Sequence, residues 1–171
     1  MNFKELTDYI KVRLGDVIVA VDQSSSPGCI EAKKDGLLKL CHFLYKDEQL
    51  FFDSLSCITG LDNGPEADTL EVIYNFYSIP YDHHLMVKVT LGRVRPEIPS
   101  LTSIWKTADW LERETYDMYG IIFTDHPDLR RILLPADWEG YPLLKDYEEQ
   151  ELYRGVKVAY GEKEVPKDIP K

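Results

Sequence analysis

In Thr69-Leu70-Glu71-Val72-Ile73-Tyr74-Asn75-Phe76-Tyr77-Ser78, the residues Leu70, Val72, Tyr74 and Phe76 alternate with Glu71, Ile73, Asn75 and Tyr77. Strand side chains point alternately to opposite faces, so this stretch predicts a strand with one fully apolar face and one mixed face. Leu50–Thr59 before it and His84–Gly92 after it are similarly rich in aromatic and β-branched residues. Gly60-Leu61-Asp62-Asn63-Gly64-Pro65 and Ile79-Pro80-Tyr81-Asp82-His83 separate them with turn chemistry. Three strands joined by short loops predict an antiparallel meander.

On the N-terminal side, Phe3, Leu6, Ile10 and Leu14 recur at helical spacing and predict a helix over 2–14. Gly15-Asp16 breaks it, Val17–Val21 reads as a strand, and Gln23–Gly28 reads as a loop. Cys29–Glu31 reads as a return strand. Residues 33–46 predict a second helix with a broad apolar face of Leu37, Leu38, Cys41, Phe43, Leu44 and Tyr45. The expected fold class is therefore α+β: a mostly antiparallel sheet with helices on one face, followed by an extended, loop-rich C-terminal segment.

On the other side of the meander, Pro96 and Pro99 stiffen a linker. Ser100 or Thr102 is placed to cap a helix ending at Tyr119, with Gly120 at the position where a left-handed residue closes helices. Beyond it the chain reads as loop to Tyr147. Residues 148–171 have few apolar anchors (Leu152, Tyr153, Val156, Val158, Tyr160, Val165, Ile169), and are expected to run extended along a partner. The expected organisation is a sheet domain over 1–95, a helix and loop over 96–147 belonging to that same domain, and a tail over 148–171.

Of the 171 residues, 44% are hydrophobic and 29% charged, a composition that folds. The net charge of −10 excludes a bulk basic footprint for nucleic acid. No run approaches the ~18–20 apolar residues of a membrane span, and the first residues lack the layout of a secretory signal. Cys29, Cys41 and Cys57 form no closely spaced pair, so neither a zinc knuckle nor an iron–sulfur cluster is coded locally. No glycine-rich phosphate loop or dinucleotide fingerprint occurs either. Asp82-His83-His84 is the one place where titratable ligands crowd together. Adjacent strand histidines face opposite ways, which opposes a shared metal, although a turn location would relax that objection.

On a helix over Ile104–Tyr119, the residues Ile104, Ala108, Leu111, Thr115 and Met118 form the stripe expected to face the sheet. Glu112 and Glu114 fall on its two shoulders. Trp110, Arg113 and Asp117 fall on the far side, where Arg113 and Asp117 are spaced to pair. A Trp beside an Arg–Asp pair and two carboxylates has the composition of an interface; the alternative is a solvated charged face carrying one aromatic residue.

The run from Glu112 to Leu133 resembles the signature of the thirty-kilodalton (C) subunit family of respiratory complex I, NADH-quinone oxidoreductase. That signature is Glu-Arg-Glu, two free positions, an acid, two bulky residues, six free, a His or Lys, three free, an Arg and then apolar positions. Glu112-Arg113-Glu114, Asp117, Met118-Tyr119, His126 and Arg130 fill every fixed place. Ile104-Trp105 before the motif, Leu133–Leu143 and Lys145-Asp146-Tyr147 after it extend the resemblance. Leu144 departs from it, standing where the family usually carries a basic residue.

The resemblance implies a non-catalytic scaffold in the peripheral arm of a proton-pumping NADH (or other donor):quinone oxidoreductase, on the cytoplasmic face of the membrane. Its partners would be the large quinone-site subunit and neighbouring iron–sulfur subunits, with no nucleic acid and no membrane span of its own. No cofactor would be bound by this chain, while the complex would hold iron–sulfur clusters and quinone, with or without FMN. The partner interface would use Trp110, Glu112, Arg113, Glu114, Asp117, His126, Arg130, Arg131, Lys145 and Asp146. The alternatives are the equivalent subunit of a membrane-bound nickel–iron hydrogenase complex, or a small metal-dependent enzyme using Asp82, His83 and His84. A second question is whether the charges pair internally, with Glu112 or Glu114 held by Arg130, or across an interface.

Overall fold

The computed structural model describes residues 1–158. Asn2 opens the first helix, α1 (Phe3–Leu14), by a reciprocal cap: its side chain accepts the Glu5 N–H while the Glu5 carboxylate accepts the Asn2 N–H. Strands β1 (Ile18–Asp22) and β2 (Cys29–Ala32) follow, then a tight turn at Lys34–Gly36 and helix α2 (Leu37–Lys46). The meander is β3 (Ser54–Asp62), β4 (Thr69–Ser78) and β5 (His83–Gly92). These strands form a five-stranded sheet in the order β1-β2-β5-β4-β3, antiparallel except where β2 lies parallel to β5.

The alternation in Thr69–Ser78 sets the layering. Leu70, Val72, Tyr74 and Phe76 are buried, as are Leu85, Val87, Val89 and Leu91 across from them. Leu6 and Ile10 of α1, Leu37, Leu40 and Leu44 of α2, and Ala108 join the same core, whereas the other sheet face is only half-covered.

Two boundaries differ from the sequence expectation for a packing reason. The strand expected from Leu50 begins at Ser54, because residues 47–52 fold back on the end of α2: Phe51 and Phe52 donate their N–H groups to the carbonyls of Asp47 and Leu44. The helix expected from Ile104 begins only at Ala108 (α3, Ala108–Tyr119). The preceding turns rotate Trp105 into the core, where its indole N–H donates to the Phe52 carbonyl at 3.0 Å, and the Thr107 hydroxyl donates to the Leu55 carbonyl at 3.2 Å. Two hydrogen bonds and a buried aromatic ring outweigh one more turn of regular helix.

A further correction concerns the expected linker and loop on either side of α3. Strand β6 (Glu97–Pro99) pairs parallel with β7 (Ile122–Thr124), burying Ile98, Ile121 and Phe123. Gly120, at φ +74°, makes the left-handed exit from α3 that turns the chain back into this ribbon. Within the expected tail, Leu152–Tyr153 (β8) and Val156–Lys157 (β9) form a small hairpin. Tyr160, Val165 and Ile169 lie outside the described residues.

Helix α3 lies against β3 at a point where only glycine fits. A Cβ on Gly60 would enter the Tyr119 ring, whereas one on Gly92 would meet nothing within 4 Å. Gly60→Val is therefore expected to destabilise the chain by about 1–3 kcal/mol through overpacking. Gly92→Ala, the control on the same sheet, should change stability by less than about 0.5 kcal/mol in thermal unfolding.

Candidate functional site: a helix that captures its own downstream loop

Helix α3 carries three acids of the signature, and their fates diverge. Asp117 and Glu112 are fully buried, while Glu114 is exposed. The helical projection puts Asp117 on the outward side beside Arg113. Instead of meeting water there, it is covered by residues 130–134, which fold over that side.

One Asp117 oxygen, Oδ2, accepts the consecutive backbone N–H groups of Ile132, Leu133 and Leu134 at 3.0, 2.7 and 3.0 Å. The other, Oδ1, accepts from Arg131 at 2.7 Å. Arg131 also donates to the carbonyls of Asp117 and Gly140 and lies over the Tyr141 ring. Burial alone would raise the Asp117 carboxyl, but these donors together hold it below its usual value. One carboxylate thus gathers three loop amides and an arginine into a single anion-binding concavity.

Arg113 does not pair with Asp117. Its Nε donates to the Arg130 carbonyl at 3.2 Å, and its guanidinium lies 5.0 Å from the centre of the Trp110 ring. The Arg130 side chain pairs with Asp128 at the surface, so neither Glu112 nor Glu114 is its partner.

Glu112 faces the other way, towards the β6 exit. It accepts the Leu101 N–H and the Ser100 hydroxyl, each at 2.6 Å. The buried His126 ring approaches it at 3.9 Å. Burial pushes the Glu112 carboxyl up to about 7, against the pull of those two hydrogen bonds.

A second clamp involves the backbone of Lys145 and the carboxylate of Asp146. Asp62, buried at the end of β3, accepts from Arg93 at 2.9 Å, from the Gly64 N–H at 2.9 Å and from the Lys145 backbone N–H at 2.7 Å. Arg93 also binds Asp146. Lys145 therefore acts through its main chain, and its side chain is not part of the clamp. The sequence does not reveal Ser100, Asp62 or Arg93 as members of these clusters. Asp62 before Asn63-Gly64 is readable only as turn chemistry, and Arg93 carries no signal at all.

Trp110 stays 64% exposed, as its helical position implies. Leu133 and Leu143 are exposed as well. Glu114 sits one turn from Trp110 and shares the lining of a surface groove with Leu143, Met118 and Tyr119. At the other candidate site, the pleat turns His83 inward and His84 outward. His83 stacks on Tyr81, and His84 packs at a tilt against Tyr77. Among the described residues no group of three or more His, Cys, Asp or Glu is placed to hold a metal ion.

The fold and site define a small α+β module in which two signature carboxylates, Glu112 and Asp117, bind its own backbone, leaving an apolar and acidic outer strip that includes Glu114. Residues 30–152 match the family described as the 30 kDa subunit of respiratory-chain NADH dehydrogenase, and the chain belongs to that family. It is similar to the C subunit of NADH-quinone oxidoreductase from Chloroherpeton thalassium, at 46% identity over 88% of this chain; the matched region spans 63% of that relative's length. It is also similar to the C subunit from Chlorobium phaeobacteroides, at 40% identity over 90% of this chain and 93% of that one. Among solved structures, a trypsin-resistant fragment of Nqo5 matches with a TM-score of 0.61 at 24% identity, covering 75% of this chain and all of that one. A chain of an archaeal membrane-bound sulfane sulfur reductase, a respiratory membrane complex, matches with a TM-score of 0.73 at 18% identity and 86% coverage of both. These two likenesses concern the fold alone. No described helix is long and apolar enough to cross a membrane.

Proposed function

We propose that this chain is a non-catalytic scaffold subunit of the peripheral arm of an NADH (or other donor):quinone oxidoreductase, docking on the large quinone-site subunit at the cytoplasmic face of the membrane. Family membership supports the assembly, and one observation carries the docking. The Asp117 clamp fixes the 130–134 loop beside α3, so that Trp110, Glu114, Leu133 and Leu143 stand exposed on backbone that is already ordered. Pre-ordered exposed Trp and Leu reduce the entropy cost of association. Glu112, Arg113, Asp117 and Arg131 act as internal supports of that surface, whereas Trp110, Glu114 and Arg130 face outward. Iron–sulfur clusters, quinone and FMN belong in this reading to neighbouring subunits. The proposed organisation keeps residues 96–147 with the sheet domain.

The test is co-purification with the large subunit after substitution of the outward residues. Trp110→Ala combined with Glu114→Arg should weaken assembly by about 2 kcal/mol or more, on the order of thirtyfold. The isolated chain should keep its stability to within about 1 kcal/mol across the two exposed sites. Arg130→Glu should likewise leave the isolated chain folded while impairing assembly. Unchanged assembly in all these variants would refute the docking surface. Mass spectrometry of the co-purifying large subunit separates a quinone reductase from the hydrogenase alternative.

A further inference from the structure

Glu112 is enclosed by five elements, and none supplies it with a permanent cation. From its own helix, Asp109 presents an oxygen (Oδ1) that lies 3.4 Å from His126 Nε2 and makes no hydrogen bond. From the loop after β7, His126 brings Nε2 within 3.9 Å. The His126 Nδ1 accepts the Asp128 N–H at 3.0 Å, so the neutral ring carries its proton on Nε2, directed at the Asp109 carbonyl at 3.1 Å. From α2 and β4, the buried Cys41 thiol and the unpartnered Tyr74 hydroxyl face the same space, and burial pushes both groups up, towards their neutral forms. The 100–102 turn completes the enclosure.

That turn supplies a path for protons. The Ser100 hydroxyl lies 2.6 Å from Glu112 Oε2 and 2.8 Å from the hydroxyl of Thr102, whose N–H also donates to Ser100 Oγ at 3.2 Å. Thr102 is half-buried and reaches solvent. We propose that Glu112 is a buried proton-binding site, loaded from solvent through the hydroxyls of Thr102 and Ser100.

The transfer balances by relay. A solvent proton is taken by Thr102 Oγ1, whose own proton passes to Ser100 Oγ, whose proton passes to Glu112 Oε2. Afterwards Glu112 donates to Ser100 and Ser100 donates to Thr102. Oε1 still accepts the Leu101 N–H, and Ser100 Oγ still accepts the Thr102 N–H, so no buried polar group loses its partner. A carboxylate fixed by a guanidinium could not accept a proton without breaking that pair. Asp117 is such a case, which makes the two acids of one helix opposites: Asp117 holds the loop as an anion, and Glu112 exchanges its charge.

The experiment is pH-difference infrared spectroscopy on the 171-residue chain, scanned on either side of neutrality, with carboxyl-labelled NMR as the site-resolved readout. The wild type should show one carboxyl taking up a proton with a midpoint near 7. Glu112→Gln, which mimics the protonated acid, should abolish that signal. Ser100→Ala removes a donor that favours the anion and should raise the midpoint by about one pH unit. This variant keeps the test decisive if Glu112→Gln fails to fold. The proposal is overturned if no carboxyl of the folded wild type titrates near neutrality, if the signal survives in Glu112→Gln, or if Ser100→Ala leaves the midpoint in place.

Discussion

Asp117→Ala is expected to lower the stability of the chain by about 3–5 kcal/mol, the cost of removing one partner from a buried charged cluster. Against a total of about 5–15 kcal/mol for a domain, such a loss is severe. The reason lies in what the carboxylate holds. Without it, the N–H groups of Ile132, Leu133 and Leu134 lose their acceptor, and the guanidinium of Arg131, mostly covered by protein, loses its counter-ion. Hydrogen exchange should show the amides of 132–134 opening first, while those of β4 and β5 open only with global unfolding. Arg131→Ala should cost less, because the three amides remain satisfied. Unchanged amide protection in Asp117→Ala would exclude the clamp.

The same carboxylate predicts a pH dependence with a definite sign. Its pKa in the folded chain lies below the ordinary 3.8, so the folded state binds fewer protons than the unfolded chain as the medium turns acid. Its contribution is fully present above about pH 4 and is lost as pH falls through the lowered folded value. Asp117→Ala should flatten the acid limb of the stability curve accordingly. Glu112 acts with the opposite sign. Its carboxyl is raised from 4.5 to about 7, so the folded chain holds the extra proton between those values, and stability declines as pH rises through that window.

Asp62→Ala should destabilise the chain by about 2–3 kcal/mol, less than Asp117→Ala because Arg93 retains Asp146 as a counter-ion. Asp62 is 3% exposed and joins three places distant in sequence: the end of β3, Arg93 just beyond β5, and the backbone of Lys145. Its loss should loosen the chain around Leu143–Tyr147 before the sheet, giving new proteolytic cleavage there while the meander stays protected. Asp146→Ala, which removes a carboxylate about half exposed to water, should cost less than about 1 kcal/mol. Equal effects of the two substitutions would show that the clamp is a surface ion pair and not a buried one.

Much of the architecture was legible from one dimension. The alternation in Thr69–Ser78 is a local property of a strand between water and a core, and the strand appears with those same limits. The spacing of Phe3, Leu6, Ile10 and Leu14 and the closing Gly120 likewise act within one element, so periodicity and backbone sterics reveal them. Trp110 stays mostly exposed, on the side its helical position implies.

The fates of the charged residues were decided only in three dimensions. A helical projection can place Asp117 away from the sheet, but it cannot show that residues 130–134 return over that side and bury it. The parallel pairing of Glu97–Pro99 with Ile122–Thr124 joins segments separated by the whole of α3, and neither segment is long enough to declare itself a strand. Arg93, Asp62 and Lys145 meet because sheet order and a returning loop bring them together, and no spacing rule links them. Apolar periodicity, helix-forming stretches and the carboxylates carried on α3 are properties of the chain in one dimension. Whether each carboxylate is buried against a loop or a turn or stands exposed depends on the folded chain, because burial and the donors that reach an acid come from chain segments far from it in sequence.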